Sequence, residues 1–236
     1  MKHLKLFNNE TNYNTWLASD NYVTPYVSKN KNNGNINYQT RILLPYDAKI
    51  LYLESSGEQY INLDYYIYNY GLSGDIVIQR LDDNTGEKAY IGRTSQGGFD
   101  LYTGGYSKIA LWFDGNTGLH EISSPNTNVI NKEIHHVLFD MNENGTVYLK
   151  IDTDEYSTNV TWNTNLSKSQ IQLFSHRGYY NATGRIYSCK LWDNGVIIYD
   201  LIPVRKDGVG YMYDKLSNQL FGNSANGAPL ILGPDK

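Results

Sequence analysis

The stretch from Ile134 to Tyr156 constrains the fold of this chain more than any other segment. Apolar residues occupy alternate positions in both of its halves, around the turn sequence Asn142-Glu143-Asn144-Gly145. Alternation with a period of two is typical of a strand buried on one face, and Asn-Gly favours a hairpin turn. The segment therefore predicts an antiparallel hairpin with one apolar face. The apolar positions are Val137, Phe139 and Met141 before the turn, and Val147, Leu149 and Ile151 after it.

Short strands of the same character recur from Lys49 onward, separated by Gly, Asn and Asp turns such as Asp83-Asn84-Thr85-Gly86 and Asp193-Asn194-Gly195. No helical periodicity intervenes, which is typical of a two-sheet β-sandwich or jelly roll. The 22 tyrosines and 21 glycines agree, because tyrosine favours strands and glycine favours tight turns. The predicted strands are Ile61–Ile67, Asp75–Gln79, Ala89–Arg93, Lys108–Phe113, Ile134–Met141, Thr146–Asp152, Gln170–Phe174, Arg185–Leu191 and Val196–Pro203.

Charge and apolar content exclude several classes of function. A net charge of -4 argues against sequence-independent electrostatic binding of nucleic acid, which needs a basic surface. No apolar run approaches the ~20 residues of a membrane helix, and the start MKHLKLFNNE lacks the apolar core of a secretory signal. We therefore expect no membrane insertion and synthesis in a cytoplasm. The single cysteine, Cys189, lies in an apolar-rich run and is predicted to be a buried thiol.

Residues 1–46 differ in character from residues 47–236, which we interpret as one jelly-roll domain. Asn9–Ser19 can form a short helix, and Tyr22–Val27 with Asn35–Tyr38 reads as a small hairpin around Lys29–Gly34. A segment this short holds no core of its own. It either attaches the domain to another chain, or packs on the domain itself.

The hairpin and three further segments carry a family resemblance. In chain order they are Tyr52–Ile61, His135-His136-Val137 with Gly145–Asp152, Gly184–Gly195, and Asp200-Leu201-Ile202-Pro203-Val204-Arg205 through Val209–Lys215. Together they resemble the laminin-G-like, concanavalin A-type jelly rolls of bacteriophage virion proteins. The N-terminal Leu6-Phe7-Asn8 and Tyr22–Ser28 are similar to openings of structural proteins from phages of gut Bacteroidetes-type bacteria, with Tyr26 where asparagine is usual.

This resemblance implies a virion protein, of the head- or tail-fibre type or a capsid decoration. It would contact other virion proteins through residues 1–46, as a homo-oligomer that we expect to be a trimer. The resemblance does not specify a ligand; from the aromatic residues described next, we expect the jelly roll to bind host-surface glycans without catalysis. Two alternatives remain open: a purely structural decoration or fibre cap without a sugar ligand, and a glycan hydrolase.

Sugar sites combine aromatic faces with planar polar groups. The predicted ligand-binding residues are those of the loop His176–Asn181 and Trp162, which precedes it in the sequence. A second candidate surface consists of Phe99, Tyr102 and Tyr106 in a Gly-rich loop. Any of these rings could instead cover the core edge or an oligomer contact, and Tyr65, Tyr66, Tyr68 and Tyr70 are predicted to pack within the sheet. The predicted site residues are Trp162, His176, Arg177, Tyr179, Tyr180 and Asn181.

Catalytic and metal patterns are weak. Retaining glycosidases need two carboxylates ~5–5.5 Å apart, and the nearest candidate, Asp152-Thr153-Asp154-Glu155, falls at a strand end or turn. We therefore predict no enzymatic activity. Adjacent residues His135 and His136 should face opposite sides of a strand, so they cannot chelate one metal together. Asp114, Asn116 or Asp140 could contribute to a calcium site, but no loop has a recognisable calcium pattern, and no cofactor is predicted.

Overall fold

The regular secondary structure of the described residues consists of antiparallel β-strands. The computed structural model describes residues 44–236 without 69, 84–85, 96–97, 105–107, 125–131 and 166, and the backbone of three N-terminal strands. These strands are β1 (Leu4–Phe7), β2 (Pro25–Asn32) and β3 (Asn35–Ile42), in the order β1-β3-β2. In the described residues, no helix has the length and apolar character needed to span a bilayer.

The pairing of β2 with β3 confirms the predicted N-terminal hairpin. Its ladder reaches Asn32 opposite Asn35, so the connection is shorter than the expected Lys29–Gly34 turn. The predicted helix Asn9–Ser19 lies outside the described residues.

The larger of two further sheets has eleven strands. Its main path is β14-β13-β12-β7-β16-β17-β18-β19, while β4 pairs with β17, and β5 pairs with β16 and β20. Its strands are β4 (Ala48–Lys49), β5 (Leu53–Ser56), β7 (Leu72–Arg80), β12 (Ile134–Met141), β13 (Thr146–Ile151), β14 (Asp154–Asn159), β16 (Thr183–Asp193), β17 (Val196–Lys206), β18 (Val209–Asp214), β19 (Leu220–Phe221) and β20 (Ile231–Leu232).

The smaller sheet has six strands in the order β11-β10-β9-β8-β15-β6. Its strands are β6 (Ile61–Ile67), β8 (Lys88–Arg93), β9 (Phe99–Gly104), β10 (Lys108–Gly115), β11 (Gly118–Ser123) and β15 (Ser169–Leu173). The two sheets face each other across a continuous apolar core, to which both contribute alternate residues. The chain therefore has the predicted all-β sandwich fold.

The predicted hairpin is confirmed in register and in burial. β12 pairs with β13 from Met141 opposite Val147 to Val137 opposite Ile151, and its six apolar side chains are at most 7% exposed. Gly145 closes the turn with a φ of 91°, a conformation that glycine adopts without a steric penalty. Cys189 is also fully buried, as predicted, and burial raises the pKa of its thiol.

One expectation about the smaller sheet is wrong. The Gly-rich stretch around Phe99 and Tyr102 was expected to be a loop, but β9 is a strand in the middle of the sheet. All six of its residues are buried, although a strand with one solvent face should alternate. On the outer face, residues 174–182, here called the covering loop, lie over Gly92 of β8 and Asp100 of β9, and Trp112 packs against Tyr102.

The covering loop is attached to β8 through its backbone. Phe174 and Arg177 donate N–H hydrogen bonds to the carbonyls of Tyr90 and Arg93, at 2.9 and 2.7 Å, and Ala89 donates to Tyr180 at 2.8 Å. Phe174 and Arg177 both have positive φ, near 60°, which side-chain-bearing residues rarely adopt. These bonds hold the loop in one conformation against the sheet.

Candidate functional site

A pocket of about 180 Å³ opens on the outer face of the smaller sheet, beside the covering loop. Its floor comes from β8, β9 and β10, one wall from the covering loop, and part of the rim from β11. The described residues that line it are Glu87, Ala89, Gly98, Phe99, Asp100, Tyr102, Trp112, Leu119, His176, Arg177 and Tyr180.

Asp100 and His176 join the floor to the loop. A carboxylate oxygen of Asp100 contacts Nδ1 of His176, and both residues are 8% exposed. Burial raises the pKa of Asp100 to about 6, while the contact with His176 opposes that rise. Because Nδ1 of His176 contacts Asp100, Nε2 is the ring nitrogen that remains available for a hydrogen bond to a ligand.

Tyr102 and Trp112 form an aromatic pair in the pocket, with ring centroids 4.8 Å apart. Tyr102 and Trp112 both donate hydrogen bonds to one oxygen of Glu121, at 2.6 and 2.7 Å, and Lys108 binds the other oxygen at 2.6 Å. Although burial alone would raise the pKa of Glu121, these donors hold it at about 2. Glu121 thus fixes the orientation of both rings.

The rim adds apolar surface that water can reach. Tyr180 is 44% exposed and its ring centroid lies 6.0 Å from that of His176, while Leu119 is 68% exposed. Arg177 lines the same side and is half-buried. The pocket therefore offers aromatic faces at its floor and rim, with polar groups between them.

Two surfaces that were predicted separately meet at this pocket. His176, Arg177 and Tyr180 come from the covering loop, and Phe99 and Tyr102 from β9. Of these five, Phe99 and Tyr102 are each only 2% exposed, and Phe99 belongs mainly to the core between the sheets.

The remaining predicted residues lie elsewhere. Tyr179 is 79% exposed and does not line the pocket. Asn181 is buried at a backbone bridge to Ala89, and Tyr106 lies outside the described residues. Of the four tyrosines expected to pack in the sheet, Tyr65 and Tyr70 do so, while Tyr66 and Tyr68 are exposed.

The expectation that Trp162 stands beside the covering loop is wrong. Trp162 is 8% exposed and belongs to the core, with ring centroids 5.8 Å from Phe113 and 6.1 Å from Tyr70. Its indole N–H donates to the carbonyl of Asn142 at 2.8 Å, at the tip of the β12–β13 hairpin. The indole thus finds its partner inside the fold.

Two carboxylates of the predicted acidic stretch Asp152–Glu155 are held by basic side chains. Asp152 contacts His135 at 2.8 Å, and Glu155 contacts Lys150 at 2.6 Å.

Metal candidates are equally dispersed. The side chain of His136 contacts Asp75, whereas that of His135 contacts Asp152, as expected for opposite faces of a strand. Asp114 and Asp140 lie on strands of different sheets, β10 and β12. Over the described part of the chain, no three His, Cys, Asp or Glu residues converge as metal ligands would.

Four residues of the site were not predicted from the sequence: Glu87, Trp112, Leu119 and Glu121. Only Trp112 could have been predicted locally. It alternates with the apolar residues Ile109, Leu111 and Phe113, which places its side chain on the outer face of β10. An aromatic ring on the solvent face of a strand is a candidate for ligand contact. The other three residues reach the site only because particular strands become neighbours in the sheet. The local sequence pattern does not determine which strands pair.

Among the solved structures that match this chain, a pentraxin supports the fold. A heptameric SAP-like pentraxin from Limulus polyphemus matches with a TM-score of 0.52 and 12% identity, over 80% of this chain and 97% of the pentraxin. Tailspike protein 2 of an Escherichia coli O157:H7 bacteriophage matches with a TM-score of 0.46 and 13% identity, over 76% of this chain but only 28% of the tailspike. The CBM40 domain of Ruminococcus gnavus IT-sialidase, bound to α2,3-sialyllactose, matches with a TM-score of 0.43 and 10% identity, over 62% of this chain and 88% of the domain. No protein-family model and no curated protein sequence matches the chain.

Proposed function

We propose that this protein is a non-catalytic glycan-binding domain, and that the pocket beside the covering loop is its binding site. The observation that carries this proposal is the convergence of Tyr102, Trp112 and Tyr180 around the His176–Asp100 pair. A sugar ring presents one apolar face and a rim of hydroxyl groups. Aromatic rings beside oriented hydrogen-bonding groups match both features.

The fixed geometry of the site favours binding over catalysis. A general acid or base must exchange protons with the substrate and then with solvent. Glu121 has both oxygens occupied by Lys108, Tyr102 and Trp112, and Asp100 is held by His176. Both of these carboxylates therefore support the architecture of the pocket in this proposal. Among the lining residues this leaves Glu87 as one available carboxylate, where a glycosidase needs two.

The biological setting that we propose is the surface of a bacteriophage particle, in a protein of the head- or tail-fibre type. The support is the resemblance of residues 49–236 to laminin-G-like virion domains. In this proposal residues 1–46 attach the domain to other virion proteins, as part of a homotrimer. A shallow site of this kind binds one sugar weakly, near the millimolar range or roughly -4 kcal/mol. Several copies on one particle raise the overall affinity through avidity.

The test is glycan-array screening of the assembled protein, followed by titration of any bound sugar. Trp112→Ala and Tyr180→Ala should each remove about 1 kcal/mol or more of binding free energy. Tyr179→Ala is the matched control, because this tyrosine adjoins Tyr180 but does not line the pocket. Thermal melting of each variant separates lost binding from lost folding.

Two outcomes would count against the proposal. Absence of glycan binding by the assembled protein would favour a purely structural decoration or fibre-cap protein. Release of shortened glycan during the titration would favour the hydrolase alternative.

A further inference from the structure

The two ends of the pocket differ in charge. The backbone N–H of Arg177 is bonded to Arg93, at the end of β8, whereas Glu87 immediately precedes the start of that strand. At about 3.3 Å per residue, these two anchor points lie roughly 20 Å apart along the strand. The backbone of Arg177 therefore lies at one end, and Glu87, Tyr102 and Glu121 lie at the other, here called the acidic end.

The acidic end has more carboxylates than cations. Lys108 lies there, but its ammonium group is bound to Glu121 at 2.6 Å. Within the described residues Glu87 forms no ion pair, and it makes no side-chain hydrogen bond. Burial raises the pKa of Glu87, with Lys108 opposing that rise and Glu121 adding to it. Among the described residues, the charge of Glu87 is thus incompletely balanced.

The chain itself shows how an ammonium group fits this environment. The Lys108 nitrogen lies 5.7 Å from the centre of the Tyr102 ring, while it also contacts Glu121. A carboxylate beside aromatic rings is the usual chemistry for binding an organic cation. Glu87, with Tyr102 and Trp112 as fellow lining residues, offers the same combination to a ligand.

We propose that the acidic end binds the protonated amine of an amino sugar, and that Glu87 selects glycans with unacylated amino groups over neutral and acidic ones. This inference rests on the proposed function of the pocket. It assigns Glu87 a role in specificity, since the carboxylate contributes little to a neutral sugar and repels a uronic acid.

The test compares isolated sugars that differ in charge. Glucosamine and galactosamine are titrated at slightly acidic pH beside glucose, galactose and the two corresponding uronic acids. The better of the two amino sugars should bind roughly five- to tenfold more tightly than its parent sugar, as a partly desolvated ammonium beside a carboxylate and aromatic rings implies. Uronic acids should bind most weakly.

Glu87→Gln should abolish the preference for the amine while leaving the affinity for the parent sugar nearly unchanged. Glu143→Gln is the matched control, because Glu143 is exposed in the distant β12–β13 turn. The inference is wrong if neither amino sugar gains over its parent, or if the gain survives in Glu87→Gln. If neutral sugars bind but the amino sugars bind no more tightly than they do, this inference fails and the proposed function still stands. Absence of binding by every sugar, on the array and in titration, overturns both.

Discussion

Asp100 and His176 contact each other between β9 and the covering loop, and each is 8% exposed. The strand contributes a buried acid and the loop contributes the base that faces it. This contact links the conformation of the loop to the sheet, and it places an ionisable pair at the centre of the proposed site.

Protein stability should depend on pH through Asp100. Burial raises its folded-state pKa to about 6, from about 3.9 in an unfolded chain. The folded protein therefore binds the proton more tightly, and the associated stability is present below about pH 4 and lost as pH rises through about 6. Asp100→Asn cannot ionise, so the wild type should lose stability relative to this variant between those values. Urea unfolding across this pH range measures the difference.

Asp154→Asn is the control for that experiment, because Asp154 is exposed on the edge strand β14. Parallel stability profiles of the wild type and Asp100→Asn would contradict the prediction.

Gly92→Ala should displace the covering loop. A Cβ atom at this position would lie 2.5 Å from the carbonyl oxygen of Ser175 and 2.9 Å from Cα of His176. We expect a loss of about 1–3 kcal/mol in stability, as for other overpacked sites, together with weaker ligand binding. Gly227→Ala is the comparison, since nothing lies within 4 Å of its added Cβ. Unchanged unfolding and binding in Gly92→Ala would show that the loop is not seated in this way.

Glu121 and Tyr102 should be energetically coupled. Tyr102 is 2% exposed, and its hydroxyl donates to Glu121 at 2.6 Å. Glu121→Ala leaves that hydroxyl without this acceptor, at a cost of about 1–3 kcal/mol. The same substitution should cost less in a Tyr102→Phe background. A double-mutant cycle from denaturant unfolding measures the coupling, and strict additivity would mean that the hydrogen bond does not stabilise the fold.

Trp162→Ala should destabilise the domain without affecting the pocket. Removing a buried tryptophan costs about 3–5 kcal/mol through lost burial and cavity formation. Trp162→Phe should be milder, because it keeps much of the ring volume next to Phe113. Ligand affinity in the folded Trp162→Phe protein should equal that of the wild type. A selective loss of binding would instead return Trp162 to the binding site.

Deleting residues 1–46 should separate assembly from folding. The main apolar core is built from residues after this segment, although Leu44 and Tyr46 pack in a smaller cluster with Val204 and Tyr213. We therefore expect the truncated chain to be less stable but still to melt cooperatively as a monomer. Light scattering and thermal unfolding of both proteins measure this. Assembly of the truncated chain to the same mass as the full chain would show that residues 1–46 do not mediate oligomer formation.

Local pattern was sufficient for the strands whose apolar residues alternate. It predicted β6 and β12 with their observed bounds, and the other predicted strands within a few residues. It missed β9, although Phe99 and Leu101 in the core alternate there with Asp100 and Tyr102 on the outer face. The glycines on both sides of this short stretch favoured a loop. The burial of Asp100 comes from His176 of the covering loop, more than 70 positions later in the sequence, so no window around Phe99 contains its cause.

The candidate site was only partly predictable for the same reason. Loop composition identified His176, Arg177 and Tyr180, because Gly and aromatic residues between strands are visible locally. Glu121 owes its role to antiparallel register, which sets it opposite Trp112 on the neighbouring strand. Trp162 looked like a surface aromatic, but its location in the core depends on packing against Phe113, from a distant strand.

The backbone attachment of the covering loop has a consequence for how the protein could acquire new targets. The hydrogen bonds to Tyr90, Arg93 and Ala89 use main-chain atoms of the loop. The positive φ of Arg177 limits which residues fit at that position, but Tyr179 and Tyr180 are exposed and lack this restriction. Positions 179 and 180 can therefore be varied while the main chain stays in place, as in the hypervariable loops of a binding scaffold. A library randomised at these two positions would sample recognition surfaces on one preserved framework.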